Sequence, residues 1–314
     1  MTSVPEVSVV LAVRNDPIGL EVAARSILEQ ESVDLELLIV DDGSTDETPA
    51  KLRELEASDA RIRGFVEPKR GLTQSLILGC GSARARVLAR QDAADYSFPW
   101  RLRSQLDLLE REPSVSFVSC WTECVGPDEE PLQVLEGGRA TDEPLRLSLS
   151  SSTGPEVVGP TWHGSTLFRR DAYLRTGGYR PEFRMAQDWD LWWRLSETGA
   201  FALVPRVLYR ARILPGSLSM CHPGVQRRFA KLGREAFEAR LAGGGDQAIV
   251  ARAGEESESV GDLCQTRRGR SRGEYFIGSR LQSIGDVRAA NYFRAASRSN
   301  PLHLKAWLRW FQTR

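Results

Sequence analysis

The sequence has no excess of either charge, no paired-cysteine motif, no long apolar run and no glycine-rich loop after its first apolar segment. Each absence narrows what the chain can be. Lysine plus arginine equals aspartate plus glutamate at 42 each, so the whole-chain charge selects no partner and gives no reason to expect nucleic acid. The five cysteines (Cys80, Cys120, Cys124, Cys221, Cys264) are odd in number and irregularly spaced. Without a C-x-x-C pair neither a disulfide framework nor a zinc site follows, and a reducing compartment is the simpler expectation. Residues 1–13 lack the charged start and apolar centre of a signal peptide, and no run approaches the roughly 20 apolar residues of a spanning helix. A cytoplasmic protein is expected, soluble or at most peripheral to the inner face of a membrane. Val13-Arg14-Asn15-Asp16 stands where a dinucleotide-dependent oxidoreductase would carry G-x-G-x-x-G, and where a sugar nucleotidyltransferase would also show a glycine-rich loop.

What is present is an ordinary globular composition: 314 residues, 41% apolar and 27% charged, enough for a core in one large domain or two modest ones. Residues 7–13 form an almost continuous apolar run, as in a strand buried on both faces of a parallel sheet. Asp16-Pro17 then supplies an N-cap and a first-turn proline for a helix to about Gln30. Residues 35–40 read as the next strand. Ser44 and Glu47 have capping-box spacing and predict a helix from there toward Ala57. Residues 61–66 and 86–89 read as strands, with a helical segment over 72–84 between them. This β-α-β-α-β order predicts an open, mostly parallel α/β sheet flanked by helices.

Farther along, residues 137–159 are rich in Gly, Ser, Thr and Pro and predict a long surface loop. Residues 187–197 predict a helix with Leu191, Trp192 and Leu195 on one face. After about Cys221 strand signals stop, which divides the chain into residues 1–220 and a helical region over 221–314. Gly243-Gly244-Gly245 marks a break, residues 254–259 read as polar and mobile, and 273–310 resemble one tetratricopeptide-type helical pair. Residues 266–314 carry eleven Lys or Arg against Glu274 and Asp286, a local balance of +9. Within them Leu302, Leu304, Trp307, Leu308, Trp310 and Phe311 alternate with basic residues. That pattern suits the last helix of a small bundle, and also an interfacial helix that gives peripheral membrane contact.

Ligands of open α/β sheets bind beyond the carboxyl ends of the strands. Asp41-Asp42 ends the second predicted strand, and the Asp92–Asp95 segment follows the fourth. Asp-Asp-Gly-Ser is also turn chemistry, and Asp46 is a candidate helix cap, but two acidic clusters on one sheet edge are harder to explain by turns.

At these residues the sequence resembles the family 2 glycosyltransferases of GT-A (Rossmann-like) fold. The resemblance is carried by residues 7–15 (VSVVLAVRN), 40–46 (VDDGSTD), 71–89 and 90–105 (RQDAADYSFPWRLRSQ), then by Phe168-Arg169-Arg170, Gly177-Gly178-Tyr179 and 187–194 (QDWDLWWR). It covers about residues 5–220. It implies a bacterial enzyme of polysaccharide biosynthesis that takes a sugar from a nucleotide-sugar donor, by default a uridine nucleotide, to a glycan or glycolipid acceptor. By the same resemblance Asp42 binds the uracil, Val13 and Arg14 line that pocket, Arg70 faces the diphosphate, and Arg90 and Asp92 belong to the donor site. Asp92 begins what resembles the D-x-D signature, whose acids hold the donor and a divalent cation, Mn or Mg.

Two positions depart from the family pattern. Ala94 stands where the usual metal-ligating acid belongs, and Leu214 stands where a His ligand is common. Three readings follow: Asp92 or Asp95 takes the metal, the enzyme works without one, or it is catalytically weakened. The first two, retained activity with altered metal dependence, are favoured. The resemblance assigns the catalytic base of an inverting transfer to Asp188, whose alternative is a helix cap; Asp190 is the fallback. Trp189, Trp192 and Trp193 are read as core, with a sugar-stacking platform as the minority alternative, and His163 is left without a role. The competing class is a sugar-nucleotide-binding or scaffold protein whose helical tail recruits partners.

Overall fold

The computed structural model describes residues 4–136, 159–261, 263 and 265–313. Its first strand, β1 (Val7–Val13), is buried almost throughout. It sits between two parallel neighbours, β2 (Leu35–Asp42) and β4 (Val87–Asp92), with β3 (Ile62–Glu67) outside β2. Helices α1 (Pro17–Leu28), α2 (Thr48–Ser58) and α3 (Leu72–Ser82) make the crossovers. Asp16 caps α1 by accepting from the Gly19 amide at 2.8 Å, and Pro17 opens the helix. The strands foreseen from the apolar runs are all present, and β4 continues three residues beyond Ala89 to Asp92.

The capping-box expectation is corrected. Helix α2 begins at Thr48, and Glu47 makes no side-chain cap. Ser44 is drawn elsewhere: its hydroxyl bonds Asp41 and accepts from the Asn15 amide at 2.8 Å. Asp46 instead accepts from the Thr48 amide at 2.9 Å.

The second half of the sheet is mixed. Strand β5 (Tyr96–Ser97) and α4 (Arg101–Arg111) lead to β6 (Val115–Val125) and β7 (Pro131–Leu135). Then come β8 (Leu167–Arg169), α5 (Arg170–Arg175), α6 (Gln187–Ser196) and the long β9 (Ala200–Arg212). The order is β3-β2-β1-β4-β8-β6-β9-β5, with β7 on β6. The β3-β2-β1-β4 block is parallel, as is β6 with β9, whereas β8 runs antiparallel to both β4 and β6. The result is a mixed sheet with helices on both faces. Leu37, Leu11 and Val13 face α1 and α4 in one apolar cluster, while Val10 and Leu38 meet α3 and Trp192 of α6 in the other.

Beyond α7 (Leu218–Cys221) the described residues are helical: α8 (Pro223–Leu241), α9 (Gln247–Ser259), α10 (Arg267–Ser283), α11 (Ala289–Ser299) and α12 (Leu304–Gln312). Residues 254–259, expected to be mobile, belong to α9, where the buried Ser257 donates to the Glu182 carbonyl at 2.5 Å. The predicted helical pair is α10–α11, turning at Gly285 with φ +74°. These helices share the sheet's core: Ile277, Leu281 and Phe293 join the cluster that contains Val9 and Leu11. Tyr292 also donates to Glu130 at 2.6 Å. The surface loop expected over 137–159 lies outside the described residues except for its last position, as does Cys264. The other four cysteines are buried and free. No helix among the described residues is long and apolar enough to cross a membrane.

Candidate active site

The register places the two acidic clusters on one edge. Val13 at the end of β1 pairs with Asp41 of β2, and Ala12 pairs with Asp92 of β4. Asp42 and Asp92 therefore end the two strands that flank the carboxyl end of β1, strands two spacings or roughly 10 Å apart.

Each cluster has its own local logic. Asp41 accepts from the Ser44 amide at 3.0 Å and closes the turn, while its Oδ2 is buried without a hydrogen bond. Asn15 Oδ1 accepts from the Thr45 amide at 2.8 Å, so the loops after β1 and β2 hold each other. Asp42 accepts from the amides of Arg70 at 2.7 Å and Gly71 at 2.8 Å. Gly71 has φ +93°, where a side chain would be strained. Asp42, Arg70 and Val13 are thus brought together, with Asp42 bound to the loop backbone and the exposed Arg70 side chain left to solvent. Arg14 is likewise exposed at the same edge.

Asp92 is 29% exposed at its side chain, and its Oδ1 accepts from Arg90 at 2.6 Å. Arg90 itself has no solvent exposure. It donates to the Val10 and Gln91 carbonyls, and its Nε lies 3.4 Å from His163 Nε2. Burial works against the Arg90 cation, but Asp92, with smaller contributions from Tyr179, Cys80 and Tyr209, offsets this and keeps the guanidinium above its ordinary range. The expectation that Arg90 touches the donor is corrected: an arginine walled off from solvent aims Asp92 from behind. His163, unassigned from sequence, belongs to this assembly. Burial and the Arg90 cation hold its imidazole well below the ordinary range, so it stays neutral, and Nε2 lies 2.7 Å from the Tyr179 hydroxyl.

The metal assignment to Asp95 is also corrected. Asp95 is buried, its Oδ2 accepts from the Tyr209 hydroxyl at 2.8 Å and its Oδ1 from the Arg212 amide at 2.9 Å. Burial first, then the Asp92 charge, raises its pKa well above the usual carboxylate range. Asp95 pins its loop to β9, buried and with both oxygens already accepting hydrogen bonds. Among the described residues no group of three or more His, Cys, Asp and Glu side chains is placed to hold a metal ion. Of Asp92 and Asp95, it is Asp92 that keeps an oxygen clear, which fits a cation shared with donor phosphates and not an all-protein cage. Ala94, at the position of the usual second acid, is left-handed with φ +66°.

Asp188 lies in the first turn of α6. It is not the N-cap: Ala186 holds that place in a left-handed conformation, φ +54°. Asp188 accepts from the adjacent Trp189 amide at 2.9 Å. Burial raises its pKa to about 6, the Trp189 and its own amide oppose this, and Asp92 and Arg90 both lie within electrostatic reach. A second tie joins the two halves of the site, because Thr73, two residues after the Gly71 that binds Asp42, donates to the Phe183 carbonyl at 2.8 Å. The Asp42 and Asp188 loops are thus tied together, and Asp92, at the carboxyl end of β4, lies within electrostatic reach of Asp188. The fallback base Asp190 is excluded by its own surroundings, being buried and ion-paired with Arg194. Trp192 and Trp193 are buried among core aromatic residues, and Trp189 is partly buried against both.

The segment before Asp188 is backed by the C-terminal helices, which sequence reasoning left outside the site. Phe183, Met185 and Ala186 pack with Phe229 and Leu232 of α8 and Ala253 of α9, and Arg184 donates to the Ser257 carbonyl at 2.9 Å.

Known proteins agree with this architecture. Residues 8–177 match the description "Glycosyl transferase family 2". The putative glycosyltransferase EpsE of Bacillus subtilis is 32% identical over 206 residues, 63% of this chain and 69% of that protein. Residues 1–349 of S. aureus TarS superpose with a TM-score of 0.55 at 14% identity over 98% of this chain and 88% of that one; the same fragment is also solved with UDP. The mannosyltransferase PcManGT of Pyrobaculum calidifontis, solved with GDP-Man and Mn2+, gives a TM-score of 0.54 at 16% identity over 99% and 85%. With the family description spanning more than half its length, this chain belongs to glycosyl transferase family 2 and is a glycosyltransferase.

Proposed function

We propose that the enzyme moves a sugar from a nucleoside-diphosphate donor, a UDP-sugar foremost, to a hydroxyl of a glycan or glycolipid acceptor in bacterial polysaccharide synthesis. The transferase site lies in residues 1–220, and the helical region 221–314 supports it and gives peripheral contact with the inner face of a membrane. The chemistry is an inverting single displacement. The acceptor oxygen attacks the anomeric carbon, the bond to the diphosphate breaks with its electron pair leaving on phosphate, and the acceptor proton passes to Asp188.

One observation carries this reading: Asp188 is a nearly free carboxylate, with its pKa raised to about 6, facing the Asp92 loop. Such a group is ionised at neutral pH yet more basic than an ordinary aspartate, which suits general-base work. Asp42 and its loop would hold the nucleobase, and Val13, Arg14 and Arg70 border the same edge. Asp92 is the residue that would hold a divalent cation, which when bound would neutralise the diphosphate. That PcManGT is solved with GDP-Man and Mn2+, and TarS with UDP, supports nucleotide-sugar binding in this fold.

A second reading, a weakened sugar-nucleotide-binding protein with a partner-recruiting tail, is favoured by Ala94 and by the lack of a metal-holding group among the described residues. A thermal-shift screen over UDP, GDP and dTDP sugars, with and without manganese, tests donor binding by mass action. Slow donor hydrolysis then separates the two readings. Stabilisation by a nucleotide sugar with measurable hydrolysis is expected; no stabilisation by any donor defeats the transferase proposal.

A further inference from the structure

A groove of about 490 Å³ runs between α10 and α11 on the helical side of the molecule. Arg267, Arg270 and Glu274 line it from one stripe of α10, spaced three and four residues apart, and Arg294 and Arg298 line it from the matching stripe of α11. Four exposed guanidiniums thus face one buried carboxylate. Glu274 engages Arg270 at 3.1 Å, while Arg267 and Arg298 pair with no acid among the described residues. Like charges gathered on facing helices repel, so this groove holds an excess that an anion would relieve. The planar fork of arginine matches phosphate oxygens two at a time.

A second feature adjoins it. The Arg294 guanidinium sits 5.8 Å above the Trp310 ring of α12. Ala306 of that helix is fully buried and Trp310 packs on the core. Leu304, Leu308 and Phe311, four and three residues apart, share the opposite face at 76%, 58% and 60% exposure. Apolar side chains of this size on a short helix beside a basic groove suit the boundary between lipid headgroups and acyl chains.

We propose that the α10–α11 groove binds the phosphate headgroup of an anionic membrane lipid, while Leu304, Leu308 and Phe311 enter the bilayer interface beside it. This assignment rests on the peripheral membrane contact proposed above and is independent of the transfer chemistry. It places the charge-selective step of docking in Arg267 and Arg298, away from Asp42, Asp92 and Asp188.

The test is co-sedimentation of the full chain with vesicles of phosphatidylcholine alone and of phosphatidylcholine mixed with phosphatidylglycerol. The wild type should bind the mixed vesicles and not the neutral ones. The double variant Arg267→Glu/Arg298→Glu should lose tenfold or more of that binding, with donor hydrolysis and melting temperature unchanged. Leu308→Ser/Phe311→Ser should lose it as well. Retained binding by the charge-reversed variant, with loss only in the α12 variant, would overturn the groove while sparing membrane contact. No vesicle binding by the wild type would overturn both. Thermal stabilisation by inorganic diphosphate without vesicle binding would show a groove for soluble phosphate and overturn the lipid assignment.

Discussion

Arg90 donates to Asp92 Oδ1 at 2.6 Å from a position with no solvent exposure, so the carboxylate at the end of β4 is aimed from behind by a buried cation. Lysine cannot reproduce the fork that serves Val10, Gln91 and Asp92 together. Arg90→Lys should therefore cost about 1–3 kcal/mol of stability and raise the donor KM. Denaturant unfolding and donor titration check this; an unchanged donor KM in a folded variant would show that Asp92 needs no such support.

Asp188→Asn should reduce turnover by about 10²–10⁴-fold while sparing donor binding. The stability effect has the opposite sign. Burial raises the folded-state pKa to about 6, so the folded form holds the proton more tightly than the unfolded chain. The associated stability is complete below the unfolded value near 4 and is lost as pH rises through 6. At pH 8 the charged carboxylate is a cost, and Asn should raise Tm there more than at pH 5. In the wild type kcat/KM should fall tenfold per unit as pH drops below about 6. A flat profile across pH 5–7 would take Asp188 out of proton transfer.

Asp92 and Asp95 should separate cleanly. Asp92→Asn is expected to weaken donor binding with little loss of stability, since its side chain reaches solvent. Asp95→Ala deletes the acceptors of Tyr209 and Arg212 and should cost roughly 2–4 kcal/mol, leaving any manganese effect on the folded enzyme as in the wild type. A lost manganese response in Asp95→Ala would restore Asp95 as a ligand.

Ala94 sits left-handed, a conformation that aspartate tolerates better than alanine. EDTA should barely change wild-type turnover, and Ala94→Asp should make turnover sensitive to EDTA and responsive to manganese. Complete loss of wild-type activity in EDTA, rescued by manganese, contradicts the altered metal dependence.

What was legible in the sequence was local. The apolar runs at β1, β2 and β4 and the Asp16-Pro17 start need only neighbours in the chain to be understood, and so does the Asp41-Ser44 turn. What was not legible depends on partners brought from afar. Asp95 resembles a ligand until Tyr209 and Arg212, more than a hundred residues on, occupy both its oxygens. Arg90 resembles a donor contact until the sheet closes over it. Ser44 reads as a helix cap until Asn15 claims its hydroxyl. The support of the Asp188 loop by α8 and α9 had no local signal beyond apolar residues at helical spacing.

The placement of β8 has a consequence for biosynthesis. Its three residues lie between β4 and β6, pairing Leu88 with Phe168 and Phe117 with Phe168. A nascent chain leaving the ribosome has completed β1 to β4 long before residue 167 emerges, and until then the strand bearing Asp92 is an open, hydrogen-bond-hungry border. Such borders recruit other chains. Truncations that stop short of β8 are therefore expected to aggregate, while those that retain it keep the border sealed.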